Sequence, residues 1–451
     1  MPLLKHQRSD YQHLDSIEPD LWTRISALFG SISGGGGPIT AAENLPVYMG
    51  DSASIDAFAR LRVSNPVTLF DSQSHYDDHR IHWELSIDNN SGNAYVAHDA
   101  NLAEIQMYVE DDDTIIRQTR RYFRYQPGKS QLVFVTFVMD SPDAECTQCV
   151  GYFDDRNGIF FENDGTGYNL VKRSFTTGSA VDTEIAQASW NIDSFDGTGP
   201  SGYTLDFTKA QIFLMDMEWL GVGRIRCGFV VDGIPYYAHE FLHANVVDSV
   251  YMTTANLPVR YEISGTVSLS SGKTLQSICS TVISEGGFQF ASGLQFSASN
   301  EETLRSVTSS ALLPLLAIRP KTVFNGVVNR GRIIPENISI YSQSQPIHHD
   351  IYWGASVQGG SWNSLGPDSI TEYNVTGISL SGGVHVTSGY IPASNQSRGL
   401  VQKENTADYP LFLNIAGDHP LTPYTDQFVI ALKAISTSSD CGASIDLKEL
   451  R

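Results

Sequence analysis

Short stretches in which every second residue is apolar, each stopped by a cluster of Gly, Asn or Asp, fill this chain after residue 40. Between Gln211 and Trp219, the side chains of Phe213, Met215, Met217 and Trp219 share one face. Between Gly223 and Val231, Ile225, Cys227, Phe229 and Val231 share a face opposite Arg224 and Arg226. A period of two marks a strand with one face in a core and the other toward water. Gln131 to Met139 is rich in β-branched and aromatic residues and reads as another strand. Turn chemistry lies between such runs: Asp88-Asn89-Asn90-Ser91-Gly92, Arg156-Asn157-Gly158, Asp164-Gly165, Asp196-Gly197-Thr198-Gly199 and Asp232-Gly233. Sustained helical periodicity is scarce. The pattern predicts a mainly β fold: tandem antiparallel β-sandwiches, jelly-roll-like, with a short N-terminal helical anchoring arm.

That arm is residues 1–40. Leu21, Trp22, Ile25, Leu28 and Phe29 fall on one face of a short helix, and Gly30 and Gly34 to Gly37 end it in a tether. Such a helix either folds back on its own domain or docks on a partner. A first sandwich is expected over 41–287. Gly286-Gly287 and the polar stretch Ser297 to Glu302 form the joint, and a second sandwich is expected over 288–451. In it, Thr322 to Phe324, Ile338 to Tyr341 and Phe428 to Leu432 read as strands.

Composition narrows the function classes. Of 451 residues 18% are charged and 10% aromatic, which argues against disorder and coiled coils. The formal net charge of −21 repels phosphate backbones and anionic membrane surfaces, so neither nucleic-acid binding nor membrane insertion is expected. No apolar run is long enough for a transmembrane helix, and residues 1–20 show no secretion signal. Five Cys are too few for a disulfide framework, which suits synthesis in a reducing bacterial cytoplasm. Cys146 and Cys149 form a lone C-x-x-C, read as two ordinary thiols because no second pair completes a zinc site.

His239-Glu240-Phe241-Leu242-His243 matches H-E-x-x-H. On a helix its two His bind zinc and its Glu activates water, with Glu262 spaced to serve as third ligand. Its setting is that of a strand, after an Asp232-Gly233 turn and among aromatics, and a strand holds the two His about 13 Å apart. A zinc metallohydrolase is therefore the weaker alternative, and no metal or cofactor is expected. Asp71, His75, Asp77, Asp78, His79 and His82 form a second His-rich cluster, read as a polar segment, and His348-His349-Asp350 a third whose neighbours diverge on a strand. Glu110 to Asp113 reads as an acidic turn. Arg117, Arg120, Arg121 and Arg124 follow it as a possible subunit contact. Asp216, Glu218 and Glu240 are carboxylates of the type a glycosidase pairs, with nothing to rank them. No G-x-S-x-G occurs. The expectation is that the chain is not an enzyme.

Asp56-Ala57-Phe58-Ala59-Arg60-Leu61-Arg62-Val63-Ser64 resembles the D-A-F-G-R-L-R-V-S motif of tailed-phage virion proteins of marine and cyanophage type, with Ala59 at the usual Gly. Arg124 to Ser130, Asp154 to Glu162, Asn256 to Ile263, Leu316 to Pro320 and Leu447 to Leu450 extend the resemblance in order. It implies a structural component of a particle (tail, fibre, neck or capsid-associated) and transfers no catalytic residue. On this basis the chain is expected in the virion as a homo-oligomer, by family analogy a trimer. Residues 1–40 would anchor it to other virion proteins. The alternative is a receptor-binding module for host surface glycan, with Tyr352, Trp353, Trp362 and Tyr390 as stacking residues.

Overall fold

The structure, a computed structural model, describes residues 55–56, 60, 65–269, 271–288, 293–300, 303–393, 401–402 and 427–451. The expected arm, with Leu21, Trp22, Ile25, Leu28 and Phe29, lies outside the described residues. Residues from Ala53 to Arg451 form one compact unit.

The alternating runs are strands, their apolar phase facing the core between the sheets; in Gln211–Met217 and Ile225–Val231 the opposite face, with Leu214, Asp216 and Arg226, is buried as well. An eight-stranded antiparallel sheet runs in the order Ile234–Phe241, Ile225–Val231, Gln211–Met217, Gln131–Val138, Lys273–Ser284, Glu104–Val109 and Tyr95–Asp99, with Val67–Gln73 also paired to Lys273–Ser284. A seven-stranded antiparallel sheet runs Val181–Ala186, Tyr168–Ser174, Gly158–Asn163, Cys146–Phe153, Val259–Gly265, Thr114–Thr119 and Trp83–Asp88. Phe213 stands opposite both Phe229 and Val135 in register. These residues meet Phe161 of the other sheet, whose ring lies 5.8 Å from Phe213, 5.4 Å from Phe229 and 4.7 Å from Phe207. Fully burying one such ring is worth about 1.5–3 kcal/mol, so this aromatic cluster helps tie the sheets together. Asp232 and Gly233, both at positive φ, turn Ile225–Val231 into Ile234–Phe241, as the sequence implies.

Beyond Ser284 the strands form a second pair of sheets. A five-stranded one contains Leu294–Ser299, Ser438–Leu450, Arg332–Ser342 and Val401–Gln402, with Arg305–Thr308 also on Ser438–Leu450. A six-stranded one runs Asn363–Ser364, Thr371–Asn374, Leu313–Pro320, Phe428–Ala434, Ile347–Trp353 and Val384–Ile391. Leu316, Ile318, Ile351 and Ile430 of the six-stranded sheet meet Ile333, Ile340, Ile445 and Leu447 of the other in a separate core. The mainly β, tandem-sandwich expectation holds. Arginines join the two sandwiches: Arg330 reaches Asp154 at 3.5 Å and covers the Tyr122 ring at 4.3 Å, and Arg120 lies over Trp353 at 5.3 Å.

Candidate functional site

In Ile347–Trp353, Ile347, His349, Ile351 and Trp353 point into the core, which leaves His348, Asp350 and Tyr352 on the outer face. The edge strand Val384–Ile391 pairs His348 with Tyr390, Asp350 with Ser388 and, past an irregularity at Ile351/Tyr352, Tyr352 with His385. The Tyr390 side chain is 74% exposed, and its ring lies 5.0 Å from that of His348. The Tyr352 ring lies 5.3 Å from that of His385. Asp350 sits between the two imidazoles, with Oδ1 2.9 Å from His385 Nε2 and Oδ2 3.6 Å from His348 Nδ1. A carboxylate only accepts, so Nε2 of His385 donates. Burial raises the Tyr352 phenol above its ordinary pKa, with Asp350 adding to the shift. Trp362 packs half-buried with Tyr352 against Ala317 and Val429, under the Arg319 guanidinium 4.1 Å from its ring. Arg319 is in turn held by Glu372 at 3.0 Å.

Three of the four aromatics named from the sequence thus share this outer face. Trp353 does not: it is 4% exposed and belongs to the core, in phase with Ile347 and Ile351. His348 and His349 diverge as a strand requires. His385 was missed by the sequence reading, since only the pairing register brings it to Asp350.

The other candidates fall elsewhere. The H-E-x-x-H begins in the strand Ile234–Phe241 rather than on a helix. Glu240 pairs with Arg224 at 3.4 Å, His239 Nδ1 accepts from the Asn191 amide, and His243 Nδ1 bonds the Gly223 carbonyl at 2.7 Å. Burial lowers both His to about 4. Among the described residues no group of three His, Cys, Asp or Glu is arranged to hold a metal. Cys146 and Cys149 lie on opposite faces of one strand, in separate clusters, with burial pushing the first up to about 12. Asp113 gathers Glu110 and Ser91 into the acidic turn.

The three glycosidase-type carboxylates lie near one another on the eight-stranded sheet: Arg226 stands in register between Asp216 and Glu240, and Glu218 follows Asp216 by two residues. Asp216 is fully buried, bonded to Arg226 and to the Tyr237 hydroxyl at 3.1 Å. Glu240 is committed to Arg224. Glu218 is half-buried and accepts from the Arg224 amide at 3.2 Å, and burial raises its carboxyl. The basic strip is corrected. Arg117 and Arg120 are buried within this chain, at 1% and 2% exposure, and Arg121 donates to the Leu69 carbonyl. These three side chains do not form a free basic surface.

No family model and no curated protein matches this chain. Among solved structures, it is similar to a glycoside hydrolase family 16 protein of a mixed-linkage glucan locus in Bacteroides ovatus, at 8% identity over 48% of this chain and 99% of that one, TM-score 0.32. It is similar to a β-1,3-glucanase from Mycobacterium marinum, at 11% identity over 48% and 98%, TM-score 0.32. It is also similar to arcelin-5, a lectin-like defence protein of Phaseolus vulgaris, at 9% identity over 50% and 100%, TM-score 0.30. The expectation that the chain is not an enzyme is corrected here. Two of these three neighbours are named as a glycoside hydrolase and a glucanase.

Proposed function

We propose that this chain binds carbohydrate through the outer face of its six-stranded sheet. The observation that carries this is Tyr390, a large aromatic left 74% exposed on an edge strand beside His348, Asp350, Tyr352 and His385. A sugar ring stacks its C–H face on such an aromatic, while flanking imidazoles and a carboxylate supply donors and acceptors for its hydroxyls. The series beginning at Asp56 and Arg60 supports a setting for this binding. In that setting the chain is a component of a tailed-phage particle, a homo-oligomer in which this face meets host polysaccharide.

The test is a glycan array probed with the full chain and with Tyr390→Ala. Because Tyr390 is exposed, its removal leaves folding intact and weakens binding by about tenfold, the equivalent of about 1.4 kcal/mol. Failure to bind any glycan, or binding untouched by Tyr390→Ala, refutes the reading. For the particle setting, an antibody against the chain is expected to label purified virions.

A further inference from the structure

A second site lies at the lateral opening of the first sandwich. There the edge strand Trp83–Asp88 of one sheet and the edge strand Tyr95–Asp99 of the other flank a cavity of about 210 Å³. Trp83, Leu85, Ile87 and Val96 give it apolar walls, and Arg117 supplies a guanidinium. Arg117 stands in register opposite Leu85 and is 1% exposed, with its guanidinium 4.4 Å from the Trp83 ring centroid. Its NH1 donates to the Asp78 carbonyl at 3.0 Å. Its Nε and NH2 have no hydrogen-bond partner among the described residues. The acidic group at the cavity, the Asp78 carboxylate, is taken by Arg80 at 2.8 Å.

A buried guanidinium without a counter-ion is costly, and the cost falls when an anion completes its hydrogen bonds. Nε and NH2 form one edge of the guanidinium plane. That edge is the fork which takes a carboxylate through two parallel N–H···O bonds. The apolar walls suit a hydrocarbon body, and the Asp78 carboxylate opposes a second negative charge. We propose that this cavity is a binding site for a small organic monocarboxylate, its carboxylate held by Nε and NH2 of Arg117 and its apolar body seated against Trp83, Leu85, Ile87 and Val96. A cavity of about 150 Å³ already admits benzene, so the volume accommodates an aromatic acid.

The experiment is calorimetric titration of the full chain with benzoate, with benzamide as the neutral match in shape and inorganic phosphate as the plain anion. One benzoate per chain is expected, with benzamide and phosphate bound at least tenfold more weakly. Arg117→Met should weaken benzoate by about 10- to 100-fold, the range for losing a charged hydrogen-bond pair. Should that variant not fold, Val96→Trp decides, because it fills the cavity and leaves the guanidinium in place: benzoate binding must then vanish. No benzoate binding by the unmodified chain overturns the proposal. So do equal binding of benzamide, equal binding of phosphate, and benzoate binding that survives either substitution.

Discussion

Asp216 and Arg226 face each other on neighbouring strands of the eight-stranded sheet, both fully buried. Arg226 also donates to the Ile55 carbonyl at 2.8 Å and lies 4.3 Å from the Tyr237 ring centroid. Asp216→Leu takes a counter-ion from a guanidinium that burial keeps from water. Breaking a buried pair from one side costs about 3–5 kcal/mol. Arg226→Leu leaves a carboxyl that the Tyr237 hydroxyl still serves, so its loss sits at the lower end of that range. The double variant is expected to behave differently. Leu132 stands opposite Asp216 and Leu214 lies two residues before it, so two leucines join a patch that is already apolar. A buried pair replaced by packed hydrophobics is near neutral, which sets the coupling between the two sites at about 3 kcal/mol or more. Equilibrium urea unfolding of the four proteins, followed by tryptophan fluorescence, measures it. If the two single losses simply add in the double variant, or if Asp216→Leu unfolds with the parent, the pair is not a buried ion pair and the reasoning fails.

Other outcomes follow from the same packing. His239 and His243, held near 4 against an ordinary 6.5, make the folded state bind fewer protons than the unfolded one between those values. Their share of stability is whole above pH 6.5 and falls away toward pH 4, by up to about 3 kcal/mol for each, read as a falling urea midpoint. Glu162 runs the other way. Burial, with Glu184 nearby, raises its carboxyl to about 7, so its ionisation opposes folding as pH rises from 4.5. Glu162→Gln should therefore stabilise the chain at pH 8 by up to about 3 kcal/mol and do little at pH 4; stabilisation that is equal at both would refute this origin. Phe161→Ala, at the centre of the ring cluster, should cost about 3–5 kcal/mol by thermal or urea unfolding.

What could be read from the sequence was phase, and what could not was pairing. The alternation of Phe213, Met215 and Met217 told which face meets the other sheet, and the Asp232-Gly233 turn told which strands are neighbours, because both signals are local. Nothing local says that Lys273–Ser284 inserts between Gln131–Val138 on one side and Val67–Gln73 with Glu104–Val109 on the other. Nor does any local signal bring His385 to Asp350, since that contact depends on an irregularity in register. Phase also carried information that charge obscured. Trp353 lies in step with Ile347 and Ile351, which marks it as core. Arg117 likewise lies in step with Ile115, and a buried position follows from that step even though an arginine is expected outside. A charged residue in the apolar phase of a strand forces the fold to supply a partner, a ring to cover it or a space beside it. Asp216 and Arg226 lie in the opposite phase, which is buried as well, and pair with each other across strands. Arg117 has a ring, a carbonyl and a cavity, which is why its unfilled edge, rather than the H-E-x-x-H, is the feature from which a ligand is inferred.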